Sequence, residues 1–526
     1  MNIPLIAKAI VDKFTQDQKL EIWFNGHVSY VDAPFQPYFY SVYPLKLDAN
    51  KYPTEQLTKT LFSNLQPTTV YKYSFKNTQI ARERQEEDNI EHQISYTDKV
   101  LIDDHNFFTK YPNEQPLKVM HFDIETDTTG MFPTPERNAI IAVGAKCGDR
   151  KAIFMSETYD NDKIILNRFF DFLQETNPDI ITNYNGDSFD IPYIIERMKI
   201  NNIPLSRWSR NNKEIHKYKN TITIGGRVSF DLYREAQHDQ TLSGIKNLKM
   251  KTLGKWLKLS DIKEVPYSEM RNMVNTPKLR DYLISDVEIT EKLFNIYFKN
   301  VVVLAEMNKV PLNLMIGANA SFLPNIIHGR KFRQLNIISD KYNGARHPKY
   351  IKNKRGALVD TFNPGLYNHP IYKVDYASQY PRIVQTFNLS PETTRIIRYD
   401  IYTGKYNFNI SNPDKYIFSI PDETSNKNIV ISVDMTRRGF LAQFMTDVLN
   451  ERFDIKKRMK TLEKGSPEYE GLHVRQNALK VVANVQTGYE GQEFALFGDL
   501  GTYCMITGMG RYYIQLAMDG IKELNE

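Results

Sequence analysis

The alternation of apolar and polar residues changes rhythm several times along this chain, and each change predicts a different kind of structure. Residues 1–118 run in short apolar stretches broken by polar loops, as in Phe35-Gln36-Pro37-Tyr38-Phe39-Tyr40, and predict a mixed β region. The charged stretch from Arg82 to Asp88 reads as the solvated face of a helix. From Leu117 the pattern alternates. Strands are predicted at Leu117–Asp123, Ala139–Gly144 and Asp179–Thr182, with helices near 161–175 and 191–199. That order describes an α/β domain with a mixed sheet, whose last helix carries Leu279 to Thr290. Beyond about residue 300 the chain reads as helical and then polar. A basic segment, Lys349 to Ala357, precedes another strand at Ile371–Asp375. Between 439 and 488 the apolar spacing is helical again, and two helices are predicted to form a hairpin about Lys464-Gly465-Ser466-Pro467-Glu468. No fixed-period repeat or extended low-complexity segment is present.

Composition narrows the class. A chain of 526 residues is long enough for roughly three or four domains of ordinary size. Hydrophobic residues at 41% and aromatics at 12%, with Tyr 32 and Phe 29, describe a globular chain with many rings for packing or for stacking on bases. The formal charge of +6 permits a polyanionic partner without requiring one. Cys147 and Cys504 are the two cysteines, so neither a disulfide framework nor a cysteine-based zinc site can be built, which suits a reducing compartment. Lys8 breaks the N-terminal apolar run, no small-residue cleavage pattern follows, and no apolar run reaches the ~20 residues of a membrane span. A cytoplasmic location without membrane contact is therefore expected.

Four acidic residues then change the picture. Asp123 and Glu125 are two apart on a predicted strand, so both side chains leave one face. Tyr282 and Asp286 are four apart on a predicted helix and share a face, although such pairs are also common on solvated helices. Asp190 stands where a loop enters a helix. If these carboxylates converge they repel one another strongly, unless divalent cations neutralise them. Such a set suggests two metals holding a phosphodiester and an attacking water. Downstream, Arg452 and Lys456 share a helix face, as do Lys480 and Asn484, so the two helices could aim cations at one phosphate cluster. The charged outer face of a helical hairpin has the same spacing.

With these residues in hand, the chain resembles the family B DNA polymerases. Their proofreading domain carries Asp-x-Glu, Asn-x-x-x-Phe-Asp and Tyr-x-x-x-Asp in that order, matched here by Asp123-Ile-Glu125, Asn185-Gly-Asp-Ser-Phe189-Asp190 and Tyr282-Leu-Ile-Ser-Asp286. The resemblance implies a two-metal 3′–5′ exonuclease using Asp123, Glu125, Asp190 and Asp286, with Tyr282 holding the water. Asp375-Tyr-Ala-Ser378-Gln379-Tyr380-Pro381 is similar to the family's first polymerase motif, with Gln379 for the usual Leu and Arg382 for the usual Ser. It implies that Asp375 binds metal and that Ser378, Gln379 and Tyr380 contact the nucleotide, Tyr380 lying under the sugar. Arg452, Lys456, Lys480 and Asn484 match the fingers residues that bind the incoming triphosphate, while Val485 and Thr487 replace the usual Ser and Tyr. Mg²⁺, with Mn²⁺ as a substitute, is the implied cofactor.

The implied fold is multidomain α/β and α+β. An N-terminal mixed β domain at 1–118 binds template together with part of 300–360. A ribonuclease H-like 3′–5′ exonuclease domain occupies 119–300, and a palm at 361–437 resumes, incomplete, at 491–526. A helical fingers hairpin lies at 438–490. The family's second carboxylate pair is missing, since residues 376–526 contain no Asp-x-Asp, and Asp160-Asn-Asp162 reads as a turn. With Asp375 alone, polymerase-side ions would be short of ligands. The expectation is therefore a split enzyme whose second chain supplies an Asp-x-Asp hairpin and thumb. Its other partners would be primer–template DNA, single-stranded DNA, a deoxynucleoside triphosphate and a sliding clamp. A stand-alone exonuclease with a degenerate polymerase region and a non-catalytic replication scaffold are the alternatives. Pro37 and Tyr38 resemble part of the pocket with which archaeal relatives sense uracil, and Lys354-Arg355-Gly356-Ala357 could grip template phosphates.

Overall fold

Strand Val119–Thr126 alternates as the sequence predicts: Met120, Phe122 and Ile124 enter a core with Phe169, Phe170, Leu173 and Trp208. The computed structural model describes all residues except 87–88, 129–131, 219–220, 240–241, 243, 259–266, 341–354, 359–364, 367, 369–374, 494 and 526. The chain divides into two units. The first comprises Met1–Ile10, Lys19–Asp32 and Phe108–Gly317, and the second Val11–Gln18, Ala33–Phe107 and Ala318–Glu526. The first 118 residues are thus shared between them.

The first unit is built on a five-stranded sheet in the order Val228–Asp231, Ile180–Asn183, Val119–Thr126, Ile140–Cys147, Arg150–Met155. The first three strands pair in parallel and the last two pairings are antiparallel, giving the mixed sheet expected. Helix Lys163–Thr176 covers one face. The other is covered by helix Pro277–Asn308, whose Leu279, Tyr282 and Leu283 pack on Ile141 and Ala142. Thr276 caps this helix by accepting from the Leu279 N–H, Pro277 occupies its first position, and Lys309 ends it in the left-handed conformation. Residue 300, where a domain boundary was expected, lies inside the helix because nothing in its apolar periodicity breaks before Lys309. Asp162 precedes helix Lys163–Thr176 in the predicted turn, but it is fully buried and bound by Arg197 Nε at 2.7 Å.

The second unit contains the sheet Ile337–Ile338, Thr54–Leu61, Pro67–Ser74, Tyr38–Ser41 and an antiparallel sheet Thr394–Ile401, Lys427–Asp434, Lys415–Asp422, Asn407–Asn409. The predicted helical hairpin is present as Phe440–Met459 and Pro467–Tyr489, the second capped by Ser466. Helix Gln379–Thr386 and the long helix Leu500–Asn525 complete the framework of the site. Most of the expected strand Ile371–Asp375, and Lys354, lie outside the described residues. Among the described residues, no helix is long and apolar enough to cross a membrane.

Candidate active site

Gly144 lies opposite Asp123 on the neighbouring strand. A Cβ there would stand 2.7 Å from Leu283 Cγ and 3.0 Å from Val287 Cγ2, so the bare backbone lets helix Pro277–Asn308 settle against the strand pair. That close approach delivers Asp286 to the strand. Carboxylate oxygens of Asp123, Glu125 and Asp286 all lie within 4.8 Å of one another. Tyr282, one helical turn earlier, is buried beside them. Asp190, the first residue of helix Asp190–Ile200, is outside this trio, but it is the charge that acts most strongly on Asp123, and the Ile124 N–H favours its ionised form.

So many acids in one cleft resist ionising together. Burial is the largest cause throughout. It raises Asp123 well above the carboxylate range, with Asp190, Glu125 and Asp286 adding to it, and raises Glu125 likewise, with Asp286 next. Asp190 is pushed up to about 7, helped by Asp231, and Asp286 to about 6 against the pull of Lys251. The Tyr282 phenol is raised too, by burial and then by Glu125 and Asp286, so it keeps its proton. The donors are all hard oxygens, and Asp286 Oδ1 is buried without a hydrogen-bond partner. This set fits a hard divalent cation.

Lys251 was not singled out from sequence. It comes from helix Met250–Trp256, and its Nζ lies 3.3 Å from Asp286 Oδ2 and 3.4 Å from the centre of the Tyr282 ring. Phe132, also unforeseen, is 72% exposed and meets Phe189 edge-on at 5.8 Å, immediately before Asp190 in the chain. The signal for Phe132 was an aromatic among Thr, Gly and Pro residues close behind Asp-Ile-Glu.

In the second unit the structure draws together part of the other predicted set. Ser378 takes left-handed backbone at the start of helix Gln379–Thr386 and does not cap it; its Oγ instead accepts from Arg452 Nη1 at 3.3 Å. Arg452 Nε also reaches the Gln476 backbone and side-chain oxygens at 3.3 Å, tying the two hairpin helices together. Lys456 is held below its usual range by burial, and then by Arg452 and Lys480, so these three cations face one another. Gln379 Nε2 donates to the Gly510 carbonyl at 3.1 Å, and Tyr380 is half-buried. Asp375 is exposed ahead of the helix, and Asn484 is exposed on the second hairpin helix. Thr487 is 7% exposed and donates to the Asn484 carbonyl. Pro37 and Tyr38 line a cavity of about 400 Å³ with Arg82, Tyr96 and Lys99. The Tyr38 hydroxyl, though, donates to Asp103 and accepts from Arg333 Nη2 at 3.2 Å.

Residues 59–253 match the family model described as DNA polymerase family B, exonuclease domain, and residues 305–525 match that of DNA polymerase family B. DNA polymerase 2 of Aeropyrum pernix is 25% identical over 433 residues, covering 78% of this chain and 49% of that protein. The DNA polymerase of Archaeoglobus fulgidus is 27% identical over 415 residues, covering 76% and 47%. The DNA polymerase delta catalytic subunit of Oryza sativa is 25% identical over 447 residues, covering 76% and 38%. This chain therefore spans about half the length, or less, of these relatives. The family B DNA polymerase structure from Pyrobaculum calidifontis superposes with a TM-score of 0.77 at 22% identity, over 99% of this chain and 72% of that one.

Proposed function

Because the chain belongs to DNA polymerase family B, we propose that its first unit is a 3′–5′ exonuclease and that its second carries the nucleotide-binding part of a DNA-directed DNA polymerase. The observation that carries this reading is the meeting of Asp123, Glu125 and Asp286 within 4.8 Å, from a strand and a helix far apart in sequence.

Asp123, Glu125, Asp190 and Asp286 would hold Mg²⁺, or Mn²⁺ in its place. When bound, such ions supply an acidified water and neutralise charge on the phosphodiester oxygens. The chain's own groups do the positioning. Tyr282 retains its phenolic proton and offers it to the attacking water or to a phosphate oxygen. Lys251 sets the orientation of Asp286 from 3.3 Å and offsets part of its charge. Phe132, exposed and braced edge-on by Phe189, would offer a ring on which the last base of a single strand can stack.

On the polymerase side, Arg452, Lys456 and Lys480 would bind the triphosphate, Asn484 would hydrogen-bond to it, and Ser378, Gln379 and Tyr380 would line the sugar and phosphate path. Thr487 is turned inward, so no side chain from that position would press on the nascent base pair. Asp375 supplies one metal ligand, and 376–526 contain no Asp-x-Asp. Templated synthesis would therefore need further carboxylates from outside residues 1–526, such as from a second chain. Primer–template DNA and deoxynucleoside triphosphates are the proposed substrates.

The test is digestion of a 5′-labelled single strand with Mg²⁺. Shortening from the 3′ end should be stopped by EDTA and abolished by Asp123→Ala with Glu125→Ala. Undiminished digestion by that double variant would place the nuclease elsewhere.

A further inference from the structure

Helix Phe440–Met459 begins without a capping side chain of its own, because its N-cap is Gly439. The first N–H groups of a helix have no intrahelical acceptor and must be met from elsewhere. Here one short segment meets three of them. The Gly439 N–H donates to Asn388 Oδ1 at 2.9 Å, the Phe440 N–H to Glu392 Oε1 at 2.5 Å, and the Leu441 N–H to Ser390 Oγ at 3.0 Å. The segment is itself braced. Ser390 Oγ donates to Glu392 Oε2, Arg437 Nη2 donates to the Glu392 carbonyl at 2.8 Å, and Asn388 Nδ2 donates to the carbonyls of Asp434 and Arg437, each at 2.9 Å. Asn388, Ser390 and Glu392 are 3%, 0% and 6% exposed, and a Cβ on Gly439 would come within 2.7 Å of Ser390 Cβ. The joint is dry and close-fitting.

Its position in the chain gives it leverage. The segment follows directly on helix Gln379–Thr386, whose N-cap position is Ser378, while the capped helix carries Arg452 and Lys456. At 1.5 Å per residue these cations lie roughly 18 and 24 Å beyond the joint, so a tilt of about 5° there would move Arg452 by roughly 1.6 Å. The 3.3 Å contact from Arg452 Nη1 to Ser378 Oγ would not survive such a shift. An acidic acceptor at a helix start makes a charge-assisted bond and is favoured by the helix dipole, so it resists tilting more than a neutral cap would.

We propose that Glu392 is a positioning residue for triphosphate binding: with Ser390 and Asn388 it sets the direction of helix Phe440–Met459 against helix Gln379–Thr386, and so fixes where Arg452 and Lys456 meet the nucleotide. This rests on reading Arg452, Lys456 and Lys480 as triphosphate ligands. The probe is dATP, titrated calorimetrically with Mg²⁺ into the whole chain bound to a primer–template with a dideoxy 3′ end and a templating thymine. Glu392→Ala should weaken binding about tenfold, which is about 1.4 kcal/mol and within the range for loss of a helix cap. Glu392→Gln, which keeps the acceptor for Phe440, should stay within about threefold of wild type, a rescue by shape that general loss of folding would not show. Because Cys147 and Cys504 are buried, Lys457→Cys and Asn412→Cys can carry spin labels. Their distance distribution should broaden in the alanine variant and not in the glutamine variant, with single-strand digestion unchanged in both. Wild-type dATP affinity and an unaltered label distance in Glu392→Ala would overturn the proposal. Absence of dATP binding by the wild-type chain, with digestion intact, would instead overturn the triphosphate reading, and this proposal with it.

Discussion

Raising the pH from 5 to 8 in EDTA should destabilise the first unit, the reverse of ordinary acid denaturation. An acid whose folded pKa lies above its unfolded value holds its proton better when folded, so stability is greatest at low pH and falls as pH rises through that interval. Asp286, titrating at about 6 instead of 3.8, and Asp190, at about 7, would in full cost the ionised folded state about 3 and about 4 kcal/mol; because both losses begin near pH 4, about 4 kcal/mol of that total falls between pH 5 and 8. Asp123 and Glu125 are raised further and push the same way. At the 2–4 °C per kcal/mol usual for a unit of this size, the melting midpoint should drop by on the order of 10 °C. Mg²⁺ binds the ionised cluster of the folded state and should restore about 2.7 kcal/mol at a hundredfold excess over its dissociation constant. The assay is scanning calorimetry at several pH values, with EDTA and with Mg²⁺, on the wild type and on Asp123→Asn with Glu125→Gln. The neutralised variant should show a flatter pH profile and little response to Mg²⁺. A wild-type midpoint that stays level from pH 5 to 8 in EDTA, or an equal Mg²⁺ effect in both proteins, would refute the reasoning.

Other consequences can be checked directly. Lys251→Met removes the cation beside a 3% exposed carboxylate and should lower the metal-free melting midpoint, since breaking a buried pair costs about 3–5 kcal/mol; an unchanged midpoint in EDTA would deny Lys251 that role. Gly144→Val would force Leu283 and the long helix outward, so exonuclease kcat should collapse while dATP binding in the second unit persists. Phe132→Ala should raise KM for single-stranded DNA about tenfold with kcat little changed, as stacking on one ring is worth about 1–3 kcal/mol; an unaltered KM would remove it from the strand path. Residues 1–526 alone should not extend a primer, and templated products in a gel assay would show that Asp375 suffices.

The framework of the acidic cluster was legible because local period and chemistry coincide there. Alternation exposes Asp123 and Glu125 on the very strand whose Phe122 and Ile124 make the core, and helical spacing pairs Tyr282 with Asp286. The hairpin at 440–489 was legible for the same reason, with Ser466 and Pro467 marking the second start. What stayed hidden depends on contacts distant in sequence. Nothing around Lys251 marks it among the other lysines, and only the closeness of two helices brings it to Asp286. The capping of Phe440 by Glu392 joins residues 48 positions apart, and the local sequence holds only a glycine where a cap should be. Asp190 was placed correctly at a helix start, but the trio of nearest oxygens excludes it. The division of the first 118 residues between two units follows from pairings with residues beyond 300, which short strands do not announce.

One such pairing sets a timetable for synthesis. Strand Thr54–Leu61 receives its parallel neighbour Ile337–Ile338 late, and the adjoining bond from Ser63 to Asp340 spans 277 positions. At a ribosomal pace of about 5–20 residues per second, that edge must wait on the order of ten seconds to a minute for its partner. During that wait it is open to the wrong strand. A nascent chain of this kind should therefore depend on chaperone cover until residue 340 has emerged.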